Sequence, residues 1–584
     1  MNIPLRTIKR RTPTTALALD GLHPVIARVF AARGVRDTCE LDHSLDRLIP
    51  PASLKGLDAA VELLLTALAS DRRFLIVADF DADGATSCAL AMRALTMLGA
   101  RHVSFVVPNR FKYGYGLTPE IVAVAAGHHP DVLITVDNGI SSVEGVRAAR
   151  ALGMDVLITD HHLPGEELPP ASAIVNPNQP GCEFPSKQLA GVGTIFYVML
   201  ALRARLRAQD WFARHTIPEP NLAELLDLVA LGTIADVVPL DANNRILVAQ
   251  GLKRINAGRC CPGIQALLAV AKRPLGRITA ADLAFGAGPR LNAAGRIEDM
   301  ALGIDCLLAM DNAEATRLAT RLDELNSERR QIESDMHDQA RAALAQLHLG
   351  GTLPRGLCLY DPSWHQGVIG IVAGRIKDQL HRPVIAFAPA GDGELKGSAR
   401  SVAGVHIRDC LDAIAARHPA MLQKFGGHAM AAGLSLRTQA YDDFAHAFAD
   451  EVARHLSEDD LHGDLVTDGE LGAQEMTLEF AELLRAAGPW GQGFSEPLFD
   501  GHFRVLSARV LGEKHLKLNI AHPSGRAIEA IAFNFPGDPP AVGDTVRVAF
   551  RLDVNEYKGL RRVQLVIEHL SPLDEPVAAG MMPA

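Results

Sequence analysis

Cysteine is scarce and irregularly spaced in this chain. The eight cysteines among 584 residues lie at positions 39, 88, 182, 260, 261, 306, 358 and 410, and no two of them form a Cys-x-x-Cys pair. Zinc modules and disulfide frameworks both depend on regular cysteine spacing. The sequence therefore indicates neither of them and predicts reduced thiols.

Long apolar runs are also missing. No run approaches the about 20 residues that a transmembrane helix needs. The first residues, Met1 to Arg11, lack the apolar core of a secretory signal. We therefore expect a cytoplasmic protein with no membrane partner.

An excess of positive charge is absent as well. The formal net charge is −10, which argues against indiscriminate wrapping of nucleic acid. A carboxylate-rich metal site would contribute negative charge by itself, so the global charge decides little. The apolar content of 48% and the charged content of 22% are ordinary for globular protein, and the length predicts several domains.

One stretch, residues 74–87, carries the clearest chemical pattern. An apolar run ends in acids at every second position, Asp79, Asp81 and Asp83. An extended backbone would point all three carboxylates to one side, where they repel each other unless cations lie between them. Gly84 is expected to permit a tight turn before a helix that begins at about residue 85. The pattern predicts a site for a metal and a phosphate together.

Two other structures could produce the same acidic pattern. The opening of an EF-hand loop has this spacing, but its twelfth position needs a bidentate Glu and here is Leu90. An EF-hand also needs a helix before the loop, whereas Phe74 to Ala78 is typical of a buried strand. A solvated acidic turn is the second alternative.

Apolar runs and helical segments alternate from residue 57 onward, which predicts a parallel α/β fold. The predicted strands are Phe74–Asp79, Val103–Val107, Val132–Asp137, Val156–Asp160 and Ala173–Val175, with helices at about 57–70, 85–99, 118–127 and 141–152. Three of these strands end in acid, at Asp79, Asp137 and Asp160. Ligands of open α/β sheets bind beyond the carboxyl ends of strands, so these acids are expected to share one crevice. A lone strand-end Asp is usually a helix cap, but three are harder to explain in that way.

A further acid, Asp236, lies in the apolar stretch 225–240. A carboxylate in such a stretch is costly unless it meets a cation or a set of hydrogen-bond donors. Asp236 is therefore a candidate metal ligand, and a buried structural Asp is the alternative.

These residues resemble the four ordered signature motifs of the DHH phosphoesterase superfamily. The motifs are Asp79-Phe80-Asp81-Ala82-Asp83-Gly84, Asp137-Asn138-Gly139, Asp160-His161-His162 and Gly232-Thr233-Ile234-Ala235-Asp236. Gly191-Val192-Gly193 and Pro289 to Arg296 resemble segments of its bacterial exonuclease branch. The resemblance runs from about residue 57 to the C-terminus. It implies a two-lobed α/β phosphoesterase with a parallel-sheet metal lobe, a long connecting helix, a smaller α/β DHH-associated lobe and a C-terminal β-barrel of OB type.

The resemblance also divides the chain. The expected parts are a basic and helical extension at 1–56, the catalytic metal-binding domain at 57–310, the connecting helix at 311–347, the DHH-associated substrate domain at 348–458 and the OB domain at 459–584. Leu318, Leu325 and Ile332 repeat every seven residues, as in a long amphipathic helix. A connector between lobes is favoured over a coiled coil because Arg329 interrupts the apolar seam.

Both C-terminal parts contain candidate nucleic-acid contacts. In 348–458, glycines stand beside His365, Ser398, Arg400 and His428, which allows donors to approach an anion, although structural histidines would look similar. Beyond residue 500, alternating apolar patterns predict barrel strands at 503–512, 515–521, 527–534, 545–555 and 561–568. The hairpin 557–562, with Lys514 and Lys517, offers cations to a single strand, and solvated turn charges are the alternative.

The resemblance assigns roles to particular residues. Asp83, Asp137, His161 and Asp236 would hold one Mn²⁺ or Mg²⁺ ion, and Asp81 with the bridging Asp137 would hold a second, with Asp79 close by. His162 would hydrogen-bond the phosphate or the leaving oxygen. The implied substrate contacts are Arg110, Tyr113, Tyr115, Arg290, His365, Ser398, Arg400, Gly427 and His428.

The loop 109–116 combines cations with aromatic residues, which suits a phosphate contact plus base stacking, or else an aromatic loop packed on the core. In the resemblance, Arg110 joins Ser398 and Arg400 in a pocket for a 5′ phosphate. The implied function is a single-stranded-DNA-specific 5′→3′ exonuclease that acts in DNA repair and recombination.

The implied partners are single-stranded DNA, a single-stranded-DNA-binding protein and a RecQ-type helicase, and the expected state is a monomer. The alternatives are another DHH phosphoesterase, such as an oligoribonuclease, a cyclic-dinucleotide phosphodiesterase or a pyrophosphatase, or a catalytically silent replication scaffold. A scaffold is expected to lose metal ligands, and every expected acid and histidine is present.

Overall fold

The computed structural model describes most of the chain and divides it into two compact units. The described residues are 7–12, 21–108, 116–349, 353–457, 459–461, 463–512, 514–535, 537–557 and 559–572. The larger unit consists of residues 12–326 and 468–584, and the smaller unit of residues 1–11 and 327–467. Within the described residues, no helix is both long and apolar enough to span a membrane.

The strands and helices are numbered here in chain order. The strands are β1 Thr7–Arg10, β2 Phe74–Ala78, β3 Val103–Val106, β4 Val132–Val136, β5 Asp155–Thr159, β6 Ala173–Val175, β7 Leu357–Tyr360, β8 Val384–Gly391, β9 Glu394–Arg400, β10 Lys424–Gly427, β11 Ala431–Arg437, β12 Asp464–Thr467, β13 Phe499–Leu511, β14 His515–Ala521, β15 Ala527–Ala532, β16 Thr545–Tyr557 and β17 Leu560–Pro572. The described α-helices of five or more residues are α1 Pro24–Ala31, α2 Leu57–Ala69, α3 Ala82–Met97, α4 Pro119–Ala126, α5 Val143–Ala151, α6 Gly191–Ala208, α7 Trp211–His215, α8 Leu226–Ala235, α9 Ala242–Asn256, α10 Pro262–Val270, α11 Gly288–Ile297, α12 Ala301–Leu308, α13 Asn312–Leu349, α14 Ile369–Leu380, α15 Ile407–Arg417, α16 Tyr441–Ala453 and α17 Leu478–Ala486.

The larger unit contains a parallel sheet of order β3-β2-β4-β5-β6. Alternate residues of β2 enter two separate hydrophobic cores, because Phe74 and Ile76 pack on one face of the sheet and Leu75 and Val77 on the other. Burial on both faces explains why the strand sequences are continuously apolar. The predicted parallel α/β fold is confirmed, and each predicted strand of this sheet matches the structure to within one residue at either end.

The turn that follows β2 differs from the prediction. Helix α3 begins at Ala82, so Asp83 lies in its first turn and Asp81 is its N-cap, rather than both continuing an extended strand. Gly84 is helical and forms no tight turn. Its Cβ would lie 2.5 Å from the backbone oxygen of Asp79, so close packing of α3 against the end of β2 explains the glycine.

The closed barrel β13-β14-β15-β17-β16 also belongs to the larger unit, and the predicted C-terminal barrel is confirmed. Its interior residues, such as Phe503 and Phe550, belong to the same hydrophobic core as the parallel sheet. The N-terminal segment contributes to this core, because Phe30 of α1 stacks with Trp490 at a centroid distance of 5.8 Å. Arg33 follows α1 and forms a buried salt bridge with Asp468.

The smaller unit is built on a sheet of order β10-β11-β9-β8-β7, in which only the β7–β8 pair is parallel among the described strands. A separate two-stranded sheet pairs β1 with β12 in parallel. The predicted long helix is present as α13. Its early residues Leu318 and Leu325 are buried in the core of the larger unit, and its later residues Met336 and Ala340 in a core of the smaller one.

Candidate active site

The acids and histidine predicted to hold metals converge at one end of the parallel sheet. Asp79, Asp137 and His161 follow the carboxyl ends of β2, β4 and β5. Asp81 and Asp83 lie at the start of α3, and Asp236 lies at the end of α8. Three groups have ligand atoms within 4.8 Å of one another, namely Asp79 with Asp81 and Asp137, Asp83 with His161 and Asp236, and Asp137 with His161 and His162. Asp137 and His161 each belong to two groups, so the clusters form one continuous centre.

His161 points its Nε2 atom at two carboxylates. This atom lies 3.1 Å from Oδ1 of Asp137 and 3.5 Å from Oδ2 of Asp236. This nitrogen is buried and forms no hydrogen bond with a described residue. The Leu189 backbone lies near the ring and favours its protonated form. The ring therefore presents Nε2 to the acids as a potential metal ligand.

Backbone amides orient the acids at the start of α3. Oδ1 of Asp81 accepts hydrogen bonds from the amides of Asp83 and Gly84, at 2.9 and 3.1 Å. The carboxylate of Asp83 accepts from Gly191 at 2.6 Å and from Val192 at 3.0 Å. The last two donors are the first amides of α6, where the helix dipole favours negative charge. Both acids therefore have fixed orientations.

Glycines allow other elements to approach these acids closely. A Cβ at Gly191 would lie 2.6 Å from Cβ of Asp137, and one at Gly232 would lie 2.8 Å from Oδ1 of Asp83. Asp137 itself has a left-handed φ of 62°, which is costly for a residue with a side chain. Sequence reasoning did not identify these packing roles, although Gly191 and Gly232 stand inside the motifs that it quoted.

Burial and mutual repulsion raise the pKa values of Asp83, Asp137 and Asp236. Burial, followed by the nearby Asp236, raises the pKa of Asp83 well above its usual range, and burial with Asp83 nearby does the same to the pKa of Asp137. Burial and Asp81 raise the pKa of Asp236 to about 7. Burial and the neighbouring His162 lower the pKa of His161 to about 4, so the imidazole is neutral near pH 7. Neutral imidazole and carboxylates that need a counter-charge are suited to bind cations.

Asp160 has an orienting role that the sequence prediction did not assign to it. Its carboxylate accepts hydrogen bonds from the amides of His161, His162 and Ile140, at 2.7, 3.0 and 2.9 Å, and contacts Nδ1 of His162 at 2.8 Å. Burial opposes protonation of His162, but the bond and charge of Asp160 outweigh it and raise the pKa of His162 to about 9. His162 is therefore a cation near pH 7, with its side chain 35% exposed.

The donor set suits hard divalent cations. Carboxylate oxygens with one imidazole are typical ligands of Mn²⁺ and, with fewer nitrogen ligands, of Mg²⁺. The buried Nε2 of His161 and the acids with raised pKa values would each gain a partner from such an ion. The residues present therefore fit a centre of this kind.

A second candidate site lies in the smaller unit. Nη1 of Arg400 donates to Oγ of Ser398 at 3.1 Å and to the Ala399 carbonyl oxygen at 2.8 Å. A Cβ at Gly370, the second residue of α14, would lie 2.9 Å from both Nη2 of Arg400 and Oγ of Ser398. Burial lowers the pKa of Arg400, which forms no salt bridge with a described residue. A guanidinium, a hydroxyl and a helix N-terminus thus meet at one point, as an anion site requires.

The other predicted substrate residues have varied surroundings. Nδ1 of His365 accepts from the Gly367 amide at 3.1 Å, and His428 is exposed in the turn between β10 and β11. Gly427 has a φ of 146° and leaves no room for a Cβ, which would lie 2.4 Å from the Ala431 carbonyl oxygen. The buried Arg290 forms a salt bridge of 2.7 Å with Asp323. Arg110, Tyr113 and Tyr115 lie outside the described residues.

The barrel cations differ in their availability. Lys517 lies 3.3 Å from Glu529, and Arg561 forms salt bridges with Glu482 and Glu556. Lys514 and Arg562 are exposed and form no salt bridge with a described residue. These two cations are therefore the better candidates for contact with a phosphate backbone.

Known families match three parts of the chain. The DHH family, N-terminal domain, matches residues 73–233, the DHHA1 domain matches 354–454 and the RecJ OB domain matches 467–569. The single-stranded-DNA-specific exonuclease RecJ of Dickeya dadantii (strain 3937) is 54% identical over 577 residues, which cover 98% of this chain and 100% of that protein.

Solved structures show the same likeness. The crystal structure of RecJ in complex with Mn²⁺ from Thermus thermophilus matches with a TM-score of 0.78 and 31% identity, over 95% of this chain and 76% of that one. The structure of RecJ in complex with Mg²⁺ from the same organism matches with a TM-score of 0.72 and 30% identity, over 95% and 75% of the two chains. By its motifs, its fold and these identities, the chain belongs to the RecJ family of DHH phosphoesterases.

Proposed function

We propose that this protein is a metal-dependent exonuclease that hydrolyses single-stranded DNA from the 5′ end and acts in DNA repair and recombination. The observation that carries the proposal is the buried Nε2 of His161, which faces Asp137 and Asp236 beside a cluster of further acids. Among relatives, the Dickeya protein is named a single-stranded-DNA-specific exonuclease, and the Thermus structures contain Mn²⁺ or Mg²⁺.

The proposed ligands divide into two sets that share Asp137. Asp83, Asp137, His161 and Asp236 would hold one Mn²⁺ or Mg²⁺ ion, and Asp81 with Asp137 would hold the other, with Asp79 adjacent. Two such ions supply an activated water and stabilise charge on the phosphate during hydrolysis. No side-chain nucleophile is needed.

The chain's own residues bind and orient the substrate. His162, held by Asp160 and cationic near pH 7, donates a hydrogen bond to a phosphate oxygen or to the leaving oxygen. The amides at the start of α6 fix Asp83, so that its carboxylate needs little reorganisation when substrate binds. This preorganisation is what electrostatic catalysis requires.

The 5′ polarity is assigned to the site at Ser398, Arg400 and Gly370. The half-buried Arg400 guanidinium has no carboxylate partner among the described residues and lies next to a hydroxyl and a helix N-terminus. Such a site is suited to bind a terminal phosphate dianion rather than a neutral end group. The barrel supplies contacts to the rest of the strand through exposed cations such as Lys514 and Arg562. A single-stranded-DNA-binding protein and a RecQ-type helicase remain predicted partners, and a monomer remains the predicted state.

Digestion of end-labelled oligonucleotides tests the proposal. Single strands of DNA and of RNA, each blocked at the 5′ end, at the 3′ end or at neither, are incubated with and without Mn²⁺. We expect mononucleotides from DNA that has a free 5′ end, only when Mn²⁺ is present. Equal cutting of 5′-blocked strands would contradict the polarity, and preference for short RNA would favour the oligoribonuclease alternative.

A further inference from the structure

A short turn borders the histidine pair on the sheet edge. Strand β6 is the last strand of the parallel sheet, and Asn176-Pro177-Asn178 follows it directly. The ladder between β5 and β6 extends as far as the amide of Asp160, which donates to the Val175 carbonyl oxygen at 3.1 Å. Pro177 has no N–H, so the backbone ladder cannot continue through it.

Side-chain amides bind the backbone carbonyls beyond the end of the ladder. Nδ2 of Asn176 donates to the His162 carbonyl oxygen at 2.9 Å, and Nδ2 of Asn178 donates to the His161 carbonyl oxygen at 2.6 Å. Asn176 is completely buried, and its Oδ1 accepts from the Asn178 amide at 2.7 Å. Both histidine carbonyls are thus held by neighbouring asparagines that also brace each other.

Asn178 makes a second contact that reaches the other side of His161. Its Nδ2 also donates to the Lys187 carbonyl oxygen at 3.2 Å. Two residues further on, the backbone of Leu189 lies near the His161 ring. One amide group therefore links the backbone of His161 to the segment that borders its imidazole.

We infer that the Asn176-Pro177-Asn178 turn is the positioning element of the histidine pair, and that Asn178 sets the aim of His161 Nε2 toward Asp137 and Asp236. The inference deepens the proposed function and rests on its metal centre. Asn178 touches neither the acids nor, by this account, the substrate, so it is a positioning residue. Partners of this kind, which orient a ligand, typically change metal affinity about 10- to 100-fold when they are removed.

The test uses the full-length protein, stripped of metal, and Mn²⁺ as the probe. Asn178→Asp keeps the size and shape of the side chain but replaces the donating amide by oxygen that faces two carbonyls. Asn178→Ala removes the amide from a half-buried position and serves if the Asp variant does not fold. Mn²⁺ affinity is measured by isothermal titration calorimetry, and the melting temperature of the metal-free protein is measured separately.

Asn256→Asp is the matched control. Nδ2 of Asn256 donates to the Ile278 carbonyl oxygen at 2.9 Å, so the same substitution removes the same type of bond at the end of α9. We expect both Asn178 variants to bind Mn²⁺ at one site about 10- to 100-fold more weakly than the wild type, and Asn256→Asp to bind it normally.

Three results would overturn the inference. Folded Asn178 variants that bind Mn²⁺ within about twofold of the wild type would show a packing role only, even if their melting temperatures fell. An equal decrease in Asn256→Asp would show that removing any such amide bond weakens binding through stability. If the wild type bound no Mn²⁺, the proposed function would fail as well, whereas the first two results leave it intact.

Discussion

Replacing Arg400 by alanine is expected to impair the enzyme mainly on strands that carry a 5′ phosphate. The Arg400 guanidinium uses Nη1 to bind Ser398 Oγ and the Ala399 carbonyl oxygen, while Nη2 lies beside Gly370 at the start of α14. A hydrogen bond from such a charged group contributes about 1.5–3 kcal/mol. At about 1.4 kcal/mol per tenfold change, the loss corresponds to a decrease of about 10- to 150-fold in kcat/KM.

The assay compares initial rates on two single strands of one sequence, one with a 5′ phosphate and one with a 5′ hydroxyl. The penalty of Arg400→Ala should be much smaller on the hydroxyl strand, since the terminal anion is absent there. Arg437→Ala is the control, because Arg437 lies at the other end of the β9–β11 pairing and is exposed. Equal penalties on both strands would show that Arg400 does not recognise the 5′ phosphate and is instead a general backbone contact or a structural residue.

Further predictions concern the barrel, the acids and a glycine. The double substitution of Lys514 and Arg562 by alanine should weaken binding of long single strands. Titrations at several salt concentrations should show that the slope of log affinity against log salt becomes shallower by about 0.7 for each phosphate that these cations no longer neutralise. An unchanged slope would mean that both cations are only solvated. Mn²⁺ affinity should increase as the pH rises through about 7, because below this pH the Asp236 carboxyl carries a proton that the ion must displace. Calorimetry in buffers of different ionisation enthalpy should detect the release of this proton. A Mn²⁺ affinity that increased as the pH fell would contradict this prediction. Gly191→Ala should greatly reduce both Mn²⁺ affinity and the rate of hydrolysis, because the added Cβ would lie 2.6 Å from Cβ of Asp137. Normal Mn²⁺ binding by this variant would show that α6 can shift without disturbing the acids.

The sequence predicted the sheet and the barrel because their patterns are local. Strands covered on both faces are continuously apolar, and barrel strands alternate, so both patterns can be read without knowledge of the partner strand. Strand β1 was missed because the strand with which it pairs, β12, lies far along the chain. Lys9 of β1 and Asp464 of β12 form a 2.7 Å salt bridge although they are 455 positions apart.

At the site, residue type was easier to predict than geometry. Alternating acids suggested an extended strand, yet Asp81 caps α3 and Asp83 lies within it. Neither the packing of Gly84 on the Asp79 carbonyl nor the bracing of His161 by Asn178 follows from sequence spacing, because each depends on which elements meet in three dimensions.

The rate of Asp137→Ala at saturating Mn²⁺ shows whether these acids hold the metals that hydrolysis requires. Asp137 belongs to two of the three candidate ligand groups, so its removal would take from two bound dications the carboxylate that they would share. We expect no detectable release of mononucleotides from a 5′-phosphorylated single strand, with binding of that strand largely retained. A rate of about a tenth of the wild-type value or more would contradict the two-metal assignment.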